Sequence, residues 1–212
     1  MGIPSEDSIH AALVARHGEQ NQKKISAATV AICGLGGIGS NVAVSLARAG
    51  IGRLILIDFD RVDVTNLHRQ QYKAAQVGQL KTQALRDNLR EIAPYVDICV
   101  HNVKLDADNA ADYLSDADIV CEAFDNAECK AMLAECVLAQ FKDKYLVACS
   151  GMAGFGSVNA ITTCRISPRF YLSGDLKSDV NDGIGLVSSR VMLCAAHQAH
   201  TILRIIIGLT DV

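Results

Sequence analysis

No cysteine pair in this chain is spaced C-x-x-C, although eight cysteines stand at positions 33, 99, 121, 129, 136, 149, 164 and 194. A four-cysteine structural zinc site therefore has no sequence support. No signal peptide opens the chain, and several cysteines sit inside apolar strand-like or helical runs. Both points argue against a disulfide framework and for a reducing, cytoplasmic setting. Charge of neither sign is in excess: 20 Lys and Arg against 23 Asp and Glu leave a net charge of -3, with no global pull towards nucleic acid or an anionic membrane. The longest apolar stretch, near the C-terminus, is broken by Arg190, His197, Gln198, His200 and Arg204. It reads as a buried or interface helix and not as a membrane span. Internal repeats and low-complexity segments are also lacking. What remains is a chain of 212 residues, half of them hydrophobic, able to bury one sizeable core, and we read it as a single domain over 1–212.

The densest information lies in Ala31-Ile32-Cys33-Gly34-Leu35-Gly36-Gly37-Ile38-Gly39-Ser40-Asn41. An apolar run from Thr29 to Cys33 predicts a buried strand, and Ile38 to Ala49 has helical apolar periodicity. Between them Gly34, Gly36 and Gly39 follow the G-x-G-x-x-G spacing. Such glycines let backbone N–H groups approach phosphate oxygens, and the helix N-terminus adds partial positive charge. Glycines also serve plain turns, so context decides. A second apolar strand, Arg53 to Ile57, ends in Asp58, nineteen residues after Gly39, close to the distance at which an acid bonds ribose hydroxyls.

Residues 1–28 read as one or two helices with a solvated, charged face. Helix is predicted for Gln79 to Ala93, stopped by Pro94, around Ala107 to Leu114, and from Ala127 to Phe141. Strand is predicted for Val96 to Val100, Asp118 to Glu122 and Tyr145 to Cys149. Alternating strands and helices imply a Rossmann-like α/β fold, an open, mostly parallel sheet with helices on both faces. Its ligands belong at the carboxyl ends of the strands, which places Gly34 to Gly39, Asp58, Asp125 and Ser150 to Gly151 in one crevice. Beyond Gly151 the part from Val158 to Ile166 is β-rich, residues 167–185 predict a long crossover loop, and Leu186 to Gly208 a closing helix.

The loop Asp58-Phe59-Asp60-Arg61-Val62-Asp63-Val64-Thr65-Asn66-Leu67-His68-Arg69-Gln70 carries cations and acids at close spacing, and Gly78-Gln79-Leu80-Lys81 and Phe124-Asp125-Asn126 follow it. Arg69 and Lys81 are cations able to hold a triphosphate, and Asp125 offers a hard oxygen suited to Mg²⁺. Read singly, each has a plainer role: Arg69 and Lys81 as surface charges, Asp125 as the N-cap of the following helix. Asp60 and Asp63 are either aids to a metal or solvated loop acids.

Taken together from about Thr29 to Asn126, these four motifs closely resemble the ThiF/MoeB family of carrier-activating enzymes, related to the ubiquitin-activating enzymes. The short length, Arg16-His17-Gly18-Glu19 and Gly174-Asp175-Leu176-Lys177 are most similar to a compact ThiF subgroup of thiamine biosynthesis. The resemblance implies a homodimeric enzyme that uses ATP and Mg²⁺ to adenylate the C-terminal Gly-Gly carboxylate of a ubiquitin-like sulfur carrier (ThiS/MoaD type), releasing pyrophosphate. It further implies nucleotide contacts at Gly34, Gly36, Gly37 and Gly39, ribose binding by Asp58, phosphate binding by Asn66, Arg69 and Lys81, and metal binding by Asp125. Arg69, Lys81 and Asp125 are thus the catalytic set.

Two departures stand out. The paired C-x-x-C zinc motifs of larger members are missing. The partner-subunit arginine of the N-terminal segment is represented by Arg16, with Glu19 where a second arginine would fall, which leaves Arg16, Lys23 and Lys24 open as substitutes. Cys149 and Cys164, downstream of the adenylation motifs, have strand-like surroundings that read as packing. His68 lies in the phosphate loop, while His197 and His200, three apart, form no metal-spaced cluster. Ser173 to Gly185 is positioned to clamp a carrier tail. The competing readings are an NAD(P)-dependent Rossmann oxidoreductase, which shares the glycine loop and Asp58 but leaves Asn66, Arg69, Lys81 and Asp125 unused, and a non-catalytic nucleotide- or carrier-binding module.

Overall fold

A computed structural model describes residues 2–212. Two helices, α1 (Glu6–His17) and α2 (Glu19–Ala27), precede β1 (Thr29–Cys33), α3 (Gly37–Arg48) and β2 (Arg53–Asp58). A long polar loop leads to α4 (Lys81–Ile92), β3 (Asp97–Asn102), α5 (Ala110–Leu114), β4 (Ile119–Glu122), α6 (Ala127–Gln140) and β5 (Tyr145–Cys149). A hairpin of β6 (Thr162–Ser167) and β7 (Phe170–Gly174) then precedes the closing helix α7 (Ser188–Ile207). No helix among the described residues is long and apolar enough to cross a membrane.

The sheet has seven strands in the order β3-β2-β1-β4-β5-β7-β6. Every neighbouring pair is parallel except β6 and β7. Because both faces are covered, the central strands β1, β2, β4 and β5 are almost wholly buried and their alternate residues feed different cores, whereas the edge strands β3 and β6 are partly exposed. Val30 and Ile32 of β1 join α3, α4 and α7 on one face through Val42, Leu46, Leu85, Leu89, Val191 and Ile202. Ala31 and Cys33 join α5 and α6 on the other through Leu114, Leu133 and Val137. The chain steps from β1 to β2 to β3 in one direction and returns to β4 on the other side of β1, so the switch point of the topology opens between β1 and β4. Ligands of such sheets bind there.

The switch point is closed at its base by two glycines. Gly34 turns the chain with φ +90°, and a Cβ there would lie 2.7 Å from the Ala123 carbonyl oxygen at the end of β4. Gly39, in the first turn of α3, packs its α-carbon directly on the Gly34 carbonyl, leaving no room for a methyl group.

One expectation requires correction. Residues 167–185 do not form a crossover loop throughout, because Phe170–Gly174 is strand, parallel to β5 with Leu146 opposite Phe170. Pro168 and Arg169 make only the tight turn of the β6–β7 hairpin. The apolar run Phe170-Tyr171-Leu172 is too short to stand out among prolines, glycines and charges, yet Tyr171 is fully buried. The open segment begins after Gly174.

Substituting Gly39→Ala is expected to lower stability by about 3 kcal/mol or more, since backbone cannot yield as a side chain does. Gly36→Ala, whose Cβ would meet nothing nearer than 3.8 Å, is expected to leave the thermal midpoint in place. Calorimetry of the two variants checks this, and equal midpoints would contradict it.

Candidate functional site

A cleft of about 520 Å³ opens at the carboxyl ends of β1, β2, β4 and β5. It brings together Gly34, Gly36, Gly37, Asp58, Asn66, Arg69, Lys81 and Asp125. Gly39 does not line it and serves the packing beneath. Gly36 caps α3 with no side-chain acceptor on the first amides of the helix, and these N–H groups, with the helix dipole, suit an anion.

Asp58 ends β2 beside this turn and is buried. Its Oδ2 accepts the Leu35 amide at 2.6 Å and its Oδ1 the Asp60 amide at 2.7 Å. Burial raises its pKa above the ordinary value, against the lowering influence of Lys81 and the two amides. Lys81 stands in the first turn of α4, where a cation is unfavourable to the helix dipole, and two carboxylates compensate. Its Nζ donates to Asp60 Oδ2 at 2.7 Å and lies 4.0 Å from Asp58 Oδ2. Asp60 is therefore the partner of Lys81 at the cleft and not a freely solvated acid. Asp63 lies off the cleft, accepting the Thr65 hydroxyl and amide, and these bonds hold its carboxyl below the usual range.

Arg69 reaches the cleft from the loop after β2, with Nη1 donating to the Thr65 carbonyl at 3.3 Å. Burial lowers its pKa while the charge of Asp125 opposes the shift, and its Nε is buried without a partner. Asp125 itself is exposed. The N-cap of α6 is Asn126, whose side chain accepts the Cys129 amide at 3.0 Å, so Asp125 is free of that duty. No described residue donates a hydrogen bond to its carboxylate. No group of three or more His, Cys, Asp or Glu converges among the described residues. A single carboxylate with substrate phosphates and water is nevertheless a set that Mg²⁺ takes.

Other candidates lie elsewhere. His68 Nε2 sits 3.2 Å from the Leu186 carbonyl oxygen, and His197 Nδ1 is 3.2 Å from Thr163 Oγ1 on β6. Cys164 is also on β6, away from the cleft. Helix α1, which carries Arg16, packs at the amino ends of the strands, with the Tyr95 hydroxyl donating to the Pro4 carbonyl and Leu13 against Gly50. That is the opposite end of the sheet from the cleft. Lys24 is bonded to the Ile207 carbonyl at 2.8 Å.

Two features escaped the sequence reading. Gln70 is buried at the cleft with its Oε1 unpartnered. Glu122, at the end of β4, is buried and paired with Lys130, whose Nζ lies 3.0 Å from both carboxylate oxygens, 3.1 Å from the Cys149 carbonyl and 3.7 Å from the Cys149 thiol. An acid ending an otherwise apolar strand was the available signal, since such a group needs a cation. Cys149 lines the cleft. The neighbouring Cys194 thiol lowers its pKa, burial opposes, and Lys130 assists. Cys33 and Cys121 are core thiols pushed up by burial.

Burial raises the Glu122 pKa, with Lys130 as the main opposing influence. An acid with a raised folded pKa stabilises fully below its unfolded value of about 4.3 and loses that contribution as pH rises through the folded value. Lys130→Met is thus expected to cost about 3 to 5 kcal/mol near pH 8 and distinctly less near pH 5. Urea unfolding at both pH values checks the slope, and a loss independent of pH would contradict it.

A family model described as the ThiF family matches residues 9–212. The chain is 43% identical over 128 residues to adenylyltransferase and sulfurtransferase MOCS3 of Caenorhabditis briggsae, covering 59% of this chain and 32% of that protein. It is 28% identical over 205 residues to adenylyltransferase and sulfurtransferase UBA4 of Lodderomyces elongisporus, covering 92% of this chain and 44% of that protein. The chain spans less than half the length of these curated relatives. Among solved structures, that of the E. coli tRNA N6-threonylcarbamoyladenosine dehydratase TcdA in complex with ATP matches with a TM-score of 0.84 at 24% identity, over 97% of both chains. E. coli MccB with ATP matches with a TM-score of 0.72 at 21% identity, over 99% of this chain and 67% of that one. These two likenesses show the fold.

Proposed function

The chain belongs to the ThiF family, and on that premise we propose that it is an ATP-dependent adenylyltransferase of a ubiquitin-like sulfur carrier ending in Gly-Gly. The observation that carries this reading is the position of Asp125, relieved of capping by Asn126, in one cleft with Arg69, Lys81 and the open N-terminus of α3. A dinucleotide oxidoreductase would leave that set without work. The MOCS3 and UBA4 relatives are named as adenylyltransferases and sulfurtransferases, and TcdA and MccB were solved with ATP, which supports the nucleotide.

In the reaction the terminal carboxylate oxygen of the carrier attacks the α-phosphorus of ATP. The new O–P bond forms as the bond to the bridging oxygen of the β-phosphate breaks, giving carrier acyl-adenylate and pyrophosphate. Asp58, anchored by two amides, accepts from the ribose hydroxyls, and Gly34, Gly36 and Gly37 allow the nucleotide to approach the turn. The α3 amides, Asn66, Arg69 and Lys81 bind the phosphates, and the two cations also bind the departing pyrophosphate. Catalysis here is positioning and charge neutralisation. Lys81 reaches the triphosphate by leaving Asp60. Asp125 would hold Mg²⁺, which when bound neutralises charge on the phosphate oxygens. Because Arg16 stands at the far end of its own sheet, an arginine from this segment would reach the phosphates only from a second copy, in keeping with a homodimer. A cytoplasmic setting and a thiamine-type or related sulfur pathway belong to this proposal on the strength of the sequence resemblance alone.

Asp125→Ala is expected to reduce carrier-dependent exchange of labelled pyrophosphate into ATP by about two orders of magnitude or more without moving the thermal midpoint. Lys81→Ala is expected to raise the KM for ATP about tenfold, the scale of one charged hydrogen bond, while a pull-down still retains the carrier. Unaltered exchange by Asp125→Ala would remove its assigned role. A thermal shift with NAD and none with Mg·ATP would overturn the nucleotide assignment.

A further inference from the structure

The cleft has two walls built independently. The nucleotide wall comes from residues 34, 36–38, 58–60, 66, 69, 70, 81 and 123–126. The opposite wall consists of Ser150, Gly151, Met152 and Ala153 with Ser178, Asp179 and Val180. It follows β5 and β7 and contains only the short 3-10 turn Val180–Asp182 and an isolated antiparallel bridge from Ala153 to Leu186.

What holds it lies behind it. Arg190, in the first turn of α7, and Asp175, just past β7, form an ion pair with Nη2 2.5 Å from Oδ2, and the two side chains are 3% and 10% exposed. Neither lines the cleft. The other oxygen of Asp175 accepts the Lys177 and Ser178 amides, each at 2.9 Å. The Asp175 amide donates to the Gly151 carbonyl at 2.8 Å and the Leu176 amide to that of Ser150 at 3.2 Å. Ser178 Oγ accepts the Ala153 amide at 3.0 Å. The fit permits no added bulk: a Cβ on Gly151 would collide with Asp175 Oδ1, and one on Gly156 with Arg190 Nη1. Leu176 is held at φ +58°, among the described residues the one non-glycine with positive φ, and the same bonds fix that conformation.

We propose that Asp175 and Arg190 are positioning residues that shape the acceptor side of the cleft, holding the 150–153 and 178–180 backbones as the channel along which the carrier's Gly-Gly tail reaches the α-phosphate. This rests on the adenylyltransferase reading. The channel is lined largely by small residues and backbone, which suits an extended tail that itself lacks side chains. The nucleotide wall has its own supports in Asp58, Lys81 and Tyr72, whose hydroxyl donates to the Leu35 carbonyl at 2.7 Å. It meets the other wall through Val191 against Gly37 and His68 against Leu186. Cutting the ion pair therefore damages acceptor recognition selectively.

The test uses the full chain with Mg·ATP and a ThiS-type carrier ending in Gly-Gly. Arg190→Met and Asp175→Asn each cut the pair, and Arg190→Lys keeps the charge. The first two are expected to raise the KM for carrier about tenfold or more while the KM for ATP stays within about twofold, with Arg190→Lys recovering much of the loss. Parallel losses for carrier and ATP would mean general structural support and overturn the proposal, as would an unchanged KM for carrier. If Arg190→Met does not fold, Asp175→Asn, nearly equal in shape, decides. If the wild-type chain shows no carrier-dependent exchange, the substrate assignment fails separately. Hydrogen exchange of Asp175→Asn then tests the pair itself: faster exchange confined to 150–156 and 174–186 supports it, and faster exchange spread over 34–41 and 58–81, or none, overturns it.

Discussion

The contact on which the rest of the molecule depends is the one between Gly39 and the Gly34 carbonyl. It lets the first turn of α3 sit against the ends of β1 and β4, so that free amides face the point where the sheet reverses its order. Any side chain at Gly39 would push the helix away and separate the amides from Asp58 and Asp125, whose strands are fixed by the sheet ladder. Phosphate recognition is thereby tied to the packing of the core. The closed cores on both faces of β1 keep that turn from yielding.

The cleft is also electrostatically occupied by its own side chains. Lys81 lies between Asp58 and Asp60, Arg69 feels Asp125, and Lys130 is fixed to Glu122. Among these, Lys81, Asp58 and Glu122 are the buried charges, and each would cost several kcal/mol if isolated, so the pairing is what allows them to stay in place while no ligand is bound. A triphosphate must enter by exchange: Lys81 gives up an exposed carboxylate, Asp60, which water can resolvate cheaply. Lys130 has no such outlet because Glu122 is almost wholly buried. It is therefore a structural cation, whereas Lys81 and Arg69 can be recruited.

Much of this arrangement is legible in the sequence where local rules suffice. The strands β1 and β2 are continuous apolar runs because both their faces are buried, and Asp58 follows the glycine turn at the spacing that one strand-helix-strand unit imposes. The choice between Asp125 and Asn126 as helix cap is not local. Both can cap, and only the backbone at the end of β4 assigns the duty to Asn126. Phe170–Gly174 is hidden for a related reason, since three apolar residues amid a proline and glycines acquire strand character only from β5 beside them. The Asp175–Arg190 and Glu122–Lys130 pairs join residues across a loop or a helix, and no periodicity announces such partners.

The central claim is that this cleft places the α-phosphate of ATP against a carboxylate at the end of a protein tail. Intact-mass spectrometry of a ThiS-type carrier incubated with this protein and Mg·ATP tests it most directly. The carrier should gain the mass of one adenylyl group, and a carrier lacking its last glycine should gain nothing. An unmodified carrier beside a folded, ATP-binding protein, or modification of a tRNA instead, would contradict the account.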